Sequence, residues 1–265
     1  MCIRDRDYQY SKNKIADQRD NSILQPPGSV TPIDVFDPVY GNNPLTSINP
    51  VTDALRRQKQ TGLYLQDLVE IDNWNLSFGV RQDWYDVSID DEISGKDDNQ
   101  GEKLSGHVGV LYAFDNGISP YVSYSTSFNP TSNYSSGAQI LDPTTGEQWE
   151  AGLKFQPPGT DDLYTLSFFN LEMENLYAKE NSLVTDSFYK GVGGIRSRGI
   201  ELEARFKPVD NLQVIAGYTY ADVSYSKSYF VNAGSAVADA KGNTPPQTPE
   251  RMASLWADYS FSDGA

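Results

Sequence analysis

The chain has 265 residues, a formal net charge of −15 and a hydrophobic fraction of only 38%, whereas 12% of its residues are aromatic and 17 are tyrosines. Such an acidic balance argues against a nucleic-acid-binding protein, which needs basic patches. No apolar run reaches the roughly 18 residues of a transmembrane helix, but a transmembrane β-strand needs only about ten residues and leaves no hydropathy peak.

The first six residues, MCIRDR, carry charges almost immediately and lack the apolar stretch of a secretory signal. They are similar to translated sequencing-adapter tails. We therefore interpret residues 1–6 as an artefact and treat residues 7–265 as the part of the chain that forms the domain.

Turn signals divide the rest of the chain into about ten strand-like segments. In chain order they cover residues 7–14, 58–70, 73–88, 102–114, 118–128, 147–156, 162–176, 193–207, 211–226 and 250–262.

The connections between these segments alternate in length. Tight turns are predicted at 71–73, 115–117, the PPGTD run from Pro157 and 208–210, and long polar links at 20–57, 89–101, 129–146, 177–192 and 227–249. Outer-membrane barrels have this order, with short periplasmic turns and long outer loops.

Apolar and polar side chains alternate within the segments, as residues 72–83, DNWNLSFGVRQD, illustrate. Several segments begin or end with an aromatic residue on the apolar parity, where a lipid boundary is expected. These boundary aromatics are Trp74, Phe114, Phe155, Phe206 and Phe261. The opposite parity carries Arg81, Asp83, Glu150, Lys154, Glu201, Glu203 and Arg205, which we predict to face a lumen or a plug, because charges this dense do not fit a dry core.

The sequence thus predicts an all-β, antiparallel transmembrane β-barrel. A free-standing barrel must close, since open edges in lipid leave backbone groups unpaired. We interpret the ten segments as an internal fragment of a larger barrel and expect that the fragment does not fold alone.

Catalytic and metal-binding constellations are not apparent. Cys2 and His107 are the chain's single cysteine and single histidine, so no disulfide, zinc cluster or Ser-His-Asp set can be assembled. The acidic pairs Asp90-Asp91 and Asp97-Asp98 lie in polar stretches and are interpreted as solvated charge. We expect no enzymatic activity.

Five stretches resemble TonB-dependent outer-membrane siderophore receptors, most closely the ferrichrome, or hydroxamate, group. They are RQKQTGLYLQD from Arg57, DNGISPYVSYSTSFNP from Asp115, GEQWEAGLKF from Gly146, RSRGIELEARF from Arg196 and KGNTPPQTPERMASLWADY from Lys241. The likeness is almost continuous from about Gln58 to Ala265.

The resemblance implies a barrel of about 22 strands filled by an N-terminal plug, in the outer membrane of a Gram-negative bacterium among lipid and lipopolysaccharide. It also implies capture of a ferric siderophore at the outer face and transport driven by the TonB–ExbB–ExbD complex. We expect the plug, the TonB box and the last strands to lie outside this sequence. Iron would arrive within the siderophore, so neither a metal site nor a cofactor is expected.

Aromatic side chains near the outer strand ends are the candidate ligand contacts. They are Tyr40 in the DPVYGNNP loop, Tyr85 on the polar parity and Tyr134 in the loop after Pro130. Loop packing or a boundary position is the alternative for each, and for Trp84, on the apolar parity, the boundary position is favoured. Gly199 in RSRGIELEARF is interpreted as a bend or a close approach of the plug.

Two other classes of protein stay open. A passive porin-like channel would have an unplugged lumen with an inward-folded constriction loop. A surface β-rich adhesion protein would be soluble without detergent.

Overall fold

The computed structural model describes residues 3–20, 36–38, 48–92, 95–135, 139–179, 189–228, 230–233 and 236–261. The strands in these ranges are β1 (Ile3–Asp20), β2 (Ile48–Ile71), β3 (Trp74–Asp91), β4 (Gly95–Tyr112), β5 (Ile118–Asn129), β6 (Thr144–Phe155), β7 (Leu163–Lys179), β8 (Tyr189–Val209), β9 (Leu212–Tyr225), β10 (Phe230–Ala233), β11 (Ala236–Asp239) and β12 (Arg251–Tyr259). Within the same ranges, no helix has the length and apolar character needed to cross a membrane.

Ten of these strands form one sheet in the order β1-β2-β3-β4-β5-β6-β7-β8-β9-β12. Each strand runs antiparallel to its neighbours, and β10 and β11 form a separate hairpin in the connection from β9 to β12. The predicted all-β antiparallel architecture is therefore confirmed. Strands that are consecutive in the sheet are also consecutive in the chain apart from the β10–β11 hairpin, which is the up-and-down order of antiparallel strands.

The tight turns lie where the sequence predicts them. Asp72 and Asn73 join β2 to β3, and Asp72 adopts a positive φ of 51°, as hairpin turns require. In the turn from β4 to β5, Gly117 has a φ of 85° and its N–H donates to the Phe114 carbonyl at 3.0 Å. Glycine adopts this conformation without steric cost.

Three predicted long links are wrong in extent, the first of them 177–192, where β7 continues to Lys179 and β8 begins at Tyr189. β3 continues to Asp91 and β4 begins at Gly95, so most of residues 89–101 form paired strand rather than loop. Residues 48–57, predicted as part of the link 20–57, belong to β2. Polar composition misled the prediction, because cross-strand contacts such as the 2.9 Å ion pair between Lys96 and Asp90 support a polar hairpin as well.

The backbone of residues 3–6 continues β1 and pairs with residues 63–66 of β2. The first predicted strand, 7–14, is thus longer at both ends. The interpretation of residues 1–6 as an artefact stays a prediction.

The two faces of the sheet have the predicted chemistry, since residues directly opposite one another in a ladder share a face. On the apolar face, Leu153, Leu166 and Leu202 form one row across β6, β7 and β8. All seven predicted lumen-facing residues lie on the opposite, polar face. The alternation has exceptions: Asp67 lies on the apolar face, and Leu68 and Trp256 lie on the polar face.

The predicted boundary aromatics lie at the turn ends of the strands and contact further aromatic rings there. Ring centroids are 4.7 Å apart for Trp74 and Tyr112 and for Tyr112 and Phe114, 6.2 Å for Phe155 and Tyr164, 6.0 Å for Tyr164 and Phe206, and 4.8 Å for Tyr259 and Phe261. These contacts form an aromatic belt at the turn end of the apolar face, where a lipid boundary is predicted.

Aromatic rings on the polar face lie over glycines of the neighbouring strand. The directly opposed pairs are Tyr85 and Gly101, His107 and Gly79, Tyr121 and Gly152, and Phe169 and Gly199. A β-carbon added at Gly152 would lie 2.8 Å from Tyr121 Cε1, and one added at Gly199 would lie 2.8 Å from Phe169 Cζ. At Gly199 the backbone carbonyl oxygen of Tyr220 on β9 lies closer still to such a β-carbon, so the glycine makes room both for a ring and for a close backbone approach within the wall, and an approach of the plug stays a prediction.

Candidate functional site

The loop between β5 and β6 folds over the polar face of β2 and β3. We call its described residues, 130–135 and 139–143, the docked loop. A buried cluster joins this loop to the two strands; its members are Ala54 of β2, Val87 and Ile89 of β3, and Tyr134 and Ile140 of the loop. The docked loop therefore covers the polar face of β2 and β3 around Ala54, Val87 and Ile89. It leaves the polar face nearer to the tight turn between these strands uncovered.

An aromatic pair, Tyr85 and Phe128, lies at the edge of this cluster. Tyr85 is half-buried against the cluster, its ring centroid is 5.4 Å from that of Phe128, and its hydroxyl donates to Asn99 Oδ1 at 3.4 Å. Alternation would place Phe128 on the apolar face. It reaches Tyr85 because β4 pairs with β5 only from His107 to Leu111, which frees the outer end of β5 to turn inward.

A side-chain hydroxyl marks the point where the two strands separate. Thr126 Oγ1 accepts the backbone N–H of Gly106 at 2.9 Å. The hydroxyl replaces a backbone carbonyl of β5 as the acceptor. The Gly106 N–H therefore keeps a hydrogen-bond partner where the pairing of β4 with β5 ends.

A charged pair lies directly below Tyr85 on the same face. Arg81 donates through Nε to Asp83 Oδ2 and through Nη2 to Asp83 Oδ1, both at 2.7 Å, and Gln60 Nε2 donates to Asp83 Oδ1 at 2.9 Å. Asp83 is only 2% exposed. The bidentate geometry fixes the guanidinium in one orientation.

A cleft of about 460 Å³ opens beside this pair. Its lining includes Tyr64, Gln66, Arg81, Ser105 and His107. Aromatic surface together with a few fixed polar groups is what a binding site for a small organic molecule requires.

Further along the polar face, hydrogen bonds brace the wall between strands. The Tyr121 hydroxyl donates to Glu150 Oε1 at 2.7 Å, Gln148 Nε2 donates to Glu150 Oε2 at 3.1 Å, and Lys154 Nζ lies 5.4 Å from the centroid of the Tyr121 ring. Thr219 likewise donates to Glu201 at 3.2 Å. Glu203 and Arg205 are exposed on this face, and contact of these residues with a plug stays a prediction.

The three residues predicted to contact the ligand lie in different environments. Tyr85 is half-buried at the edge of the docked loop, on the face of the wall that also carries Arg81. Tyr134 has no exposed surface, so its position is that of loop packing, the alternative given above. Tyr40 lies outside the described residues. Trp84 is exposed on the apolar face and donates to Glu102 Oε2 at 3.1 Å.

Sequence reasoning missed the acidic residues that hold the docked loop. Asp91 is 2% exposed and accepts the Tyr134 hydroxyl at 3.2 Å, and Asp97 Oδ2 accepts the Ile140 N–H at 2.6 Å. The interpretation of these two as solvated charge is therefore wrong, whereas Asp90 and Asp98 belong to the opposite parity. Extending the alternation of β3 to Asp91 would have placed it on the face of Tyr85.

A metal centre is not apparent in the described part of the chain, where no three His, Cys, Asp or Glu residues are grouped so that they could hold an ion.

The chain is similar to known proteins along most of its length. A family model described as "TonB dependent receptor-like, beta-barrel" matches residues 5–265. The Ferrioxamine B receptor of Salmonella typhimurium is 36% identical over 238 residues, which cover 89% of this chain and 32% of that receptor. The Ferrichrome outer membrane transporter/phage receptor of Escherichia coli K12 is 36% identical over 245 residues, which cover 89% of this chain and 31% of that protein.

A solved structure has the same fold. The siderophore receptor PiuA from Acinetobacter baumannii superimposes with a TM-score of 0.63 at 23% identity, over 83% of this chain and 34% of that one. The chain thus spans about a third of the length of its relatives. Given the family match over nearly all of its residues, the chain belongs to the TonB-dependent receptors of the Gram-negative outer membrane and has the fold of their β-barrel.

Proposed function

We propose that this chain forms barrel wall and outer loops of a receptor that binds ferric siderophores, with hydroxamates favoured, and takes them up with energy from TonB. The observation that carries the proposal is the aromatic pair Tyr85 and Phe128 at the edge of the docked loop, on the same side of the wall as the cleft lined by Tyr64, Arg81 and His107. Support for hydroxamates comes from the likeness to receptors named for ferrioxamine B and ferrichrome.

The chemistry of the wall suits this ligand class. A ferric hydroxamate combines an apolar chain with clustered oxygen atoms, and the wall offers aromatic surface together with the fixed guanidinium of Arg81. Because the siderophore supplies all ligands of the iron, the protein needs neither a metal site nor a cofactor of its own. We propose no catalytic role for any residue.

The proposed partners other than the siderophore are TonB and lipopolysaccharide. TonB would act through the plug. At the outer end of the apolar face, Arg196 and Arg198 are exposed while paired with Glu172 at 3.2 Å and Asp222 at 2.9 Å. Arginine offers five donors, so both guanidinium groups retain N–H groups for lipopolysaccharide phosphates.

The test is binding of radioactive ferric ferrioxamine B and ferrichrome to the full-length receptor in detergent, with a ferric catecholate for comparison. Saturable binding of one ferric hydroxamate is expected. Absence of binding by every chelate would contradict the proposal, and together with passive permeation of small solutes through the reconstituted protein it would favour a porin-like channel.

Replacement of Tyr85 by alanine is expected to weaken binding of the preferred hydroxamate by about 30-fold, the effect of losing an aromatic contact worth about 2 kcal/mol. Trp84→Ala is the matched control, since it removes an aromatic residue next in sequence on the opposite face. Equal affinity of the Tyr85→Ala and Trp84→Ala receptors would remove Tyr85 from the binding site.

A further inference from the structure

The docked loop is held by a buried polar contact at its centre. The Tyr134 hydroxyl donates to Asp91 Oδ2 at 3.2 Å, and both side chains are almost without exposed surface. A hydrogen bond between buried groups is directional, and leaving either group without a partner is costly. The contact therefore favours one seating of the loop on the wall, which apolar packing alone would not do.

Arg56 contributes a second contact to the same tyrosine. Its guanidinium carbon lies 4.7 Å from the centroid of the Tyr134 ring, and Nη1 donates to Asn133 Oδ1 at 3.4 Å. Arg56 is 8% exposed, and its Nε has no hydrogen-bond partner among the described residues. A desolvated cation over an aromatic face is attracted to it, so the ring is held from the guanidinium side as well as through its hydroxyl.

Backbone bonds attach the loop at two further points. Ile140 N–H donates to Asp97 Oδ2 at 2.6 Å on β4, and the N–H of Tyr189, the first residue of β8, donates to the Tyr134 carbonyl at 2.9 Å. Tyr134 is thus the residue at which the docked loop meets β3 through its side chain and β8 through its backbone. A substitution at Tyr134 removes the side-chain contact with β3 directly and leaves the backbone bond to β8.

The seating of the loop sets the position of the aromatic pair. Phe128 lies two residues before the loop, on the stretch of β5 that no longer pairs with β4, and Tyr85 packs against the cluster that contains Tyr134. Phe128 still pairs with Thr145 of β6, but among the described residues no strand pairing links this stretch of β5 to β4 or β3.

We propose that Tyr134 and Asp91 are positioning residues for siderophore binding: their bond seats the docked loop and thereby holds Phe128 against Tyr85 in the geometry that the ligand meets. This proposal rests on the proposed function. Neither residue touches the ligand, because both are covered by the loop and the wall.

The first experiment replaces Tyr134 by phenylalanine in the full-length receptor and measures binding of radioactive ferric ferrioxamine B and ferrichrome. Affinity is expected to fall about tenfold, the worth of one hydrogen bond to a charged group. Tyr124→Phe is the matched control and should retain affinity, because it removes a hydroxyl that donates to Glu147 at 3.3 Å on the apolar face. Unchanged affinity of Tyr134→Phe alongside a wild-type receptor that binds would overturn the inference; a wild type that binds no probe would instead overturn the proposed function.

The second experiment separates positioning from simple loss of folding. A double-mutant cycle compares Tyr134→Phe, Asp91→Asn and the combined variant in the full-length receptor, each for ligand affinity and for the urea midpoint of unfolding. If the two residues act through their bond, each single substitution should weaken binding, and the combined variant should lose no more affinity than either one alone. Additive losses of affinity, or losses that merely follow the unfolding midpoint, would show that seating of the loop does not control binding.

Discussion

Arg81→Ala is expected to lower the free energy of unfolding of the barrel by about 3 kcal/mol, because it leaves a buried carboxylate without its main partner. Asp83 is 2% exposed and accepts two hydrogen bonds from Arg81, so only the 2.9 Å bond from Gln60 would remain. Urea unfolding of the full-length receptor in detergent, followed by tryptophan fluorescence and by gel mobility, measures the change.

The matched control for this prediction is Arg198→Ala. Arg198 also pairs with an aspartate across 2.9 Å, but the two side chains are 63% and 44% exposed, so its removal should cost less than about 1 kcal/mol. The loss of unfolding free energy for Arg81→Lys should lie between these two values, since lysine keeps the charge but cannot form the bidentate pair. Equal losses for Arg81→Ala and Arg198→Ala would contradict the view that burial of Asp83 sets the effect.

Leu166→Arg is expected to destabilise the membrane-inserted barrel by roughly 1–3 kcal/mol, because an arginine on the lipid face costs about 2–4 kcal/mol at the bilayer midplane and about 0–1 kcal/mol near the boundary, and Leu166 lies two residues inside the belt residue Tyr164. Leu166 lies in the apolar row with Leu153 and Leu202. Reversible unfolding from lipid vesicles is the measurement.

Thr165→Arg provides the control for Leu166→Arg. The same side chain is added one residue away, on the polar face between Lys154 and Glu203, where water solvates the charge and the acidic neighbour offsets the basic one. We expect a change of less than about 1 kcal/mol. If the two arginines cost the same, the assignment of the lipid face would be wrong.

The sequence alone predicts the faces and tight turns well because both depend on local chemistry. The alternation through Trp74 and Arg81 and the turns at Asp72 and Gly117 involve residues close together in the chain. Strand extents are harder, since a polar hairpin such as that of β3 and β4 resembles a loop in composition and is stabilised only by its pairing.

The candidate site is less predictable because its contacts join distant parts of the chain. Tyr134 meets Asp91 across 43 residues, and Arg56 meets Asn133 across 77. Nothing in the alternation of β5 indicates that Phe128 leaves its expected face. That change depends on where pairing with β4 stops, which is a property of two strands and not of either one.

The rings that lie over glycines on the polar face bear on how the sheet finds its alignment. A shift of two residues between neighbouring strands preserves the apolar and polar faces, so alternation cannot reject it. Such a shift would move Tyr121 from Gly152 onto Glu150 or Lys154, and Phe169 from Gly199 onto Ser197 or Glu201. On that neighbouring strand a shifted pairing would bring each ring against a side chain instead of a glycine. We expect the glycines to favour the native alignment over the misaligned pairings that hydrophobicity would accept.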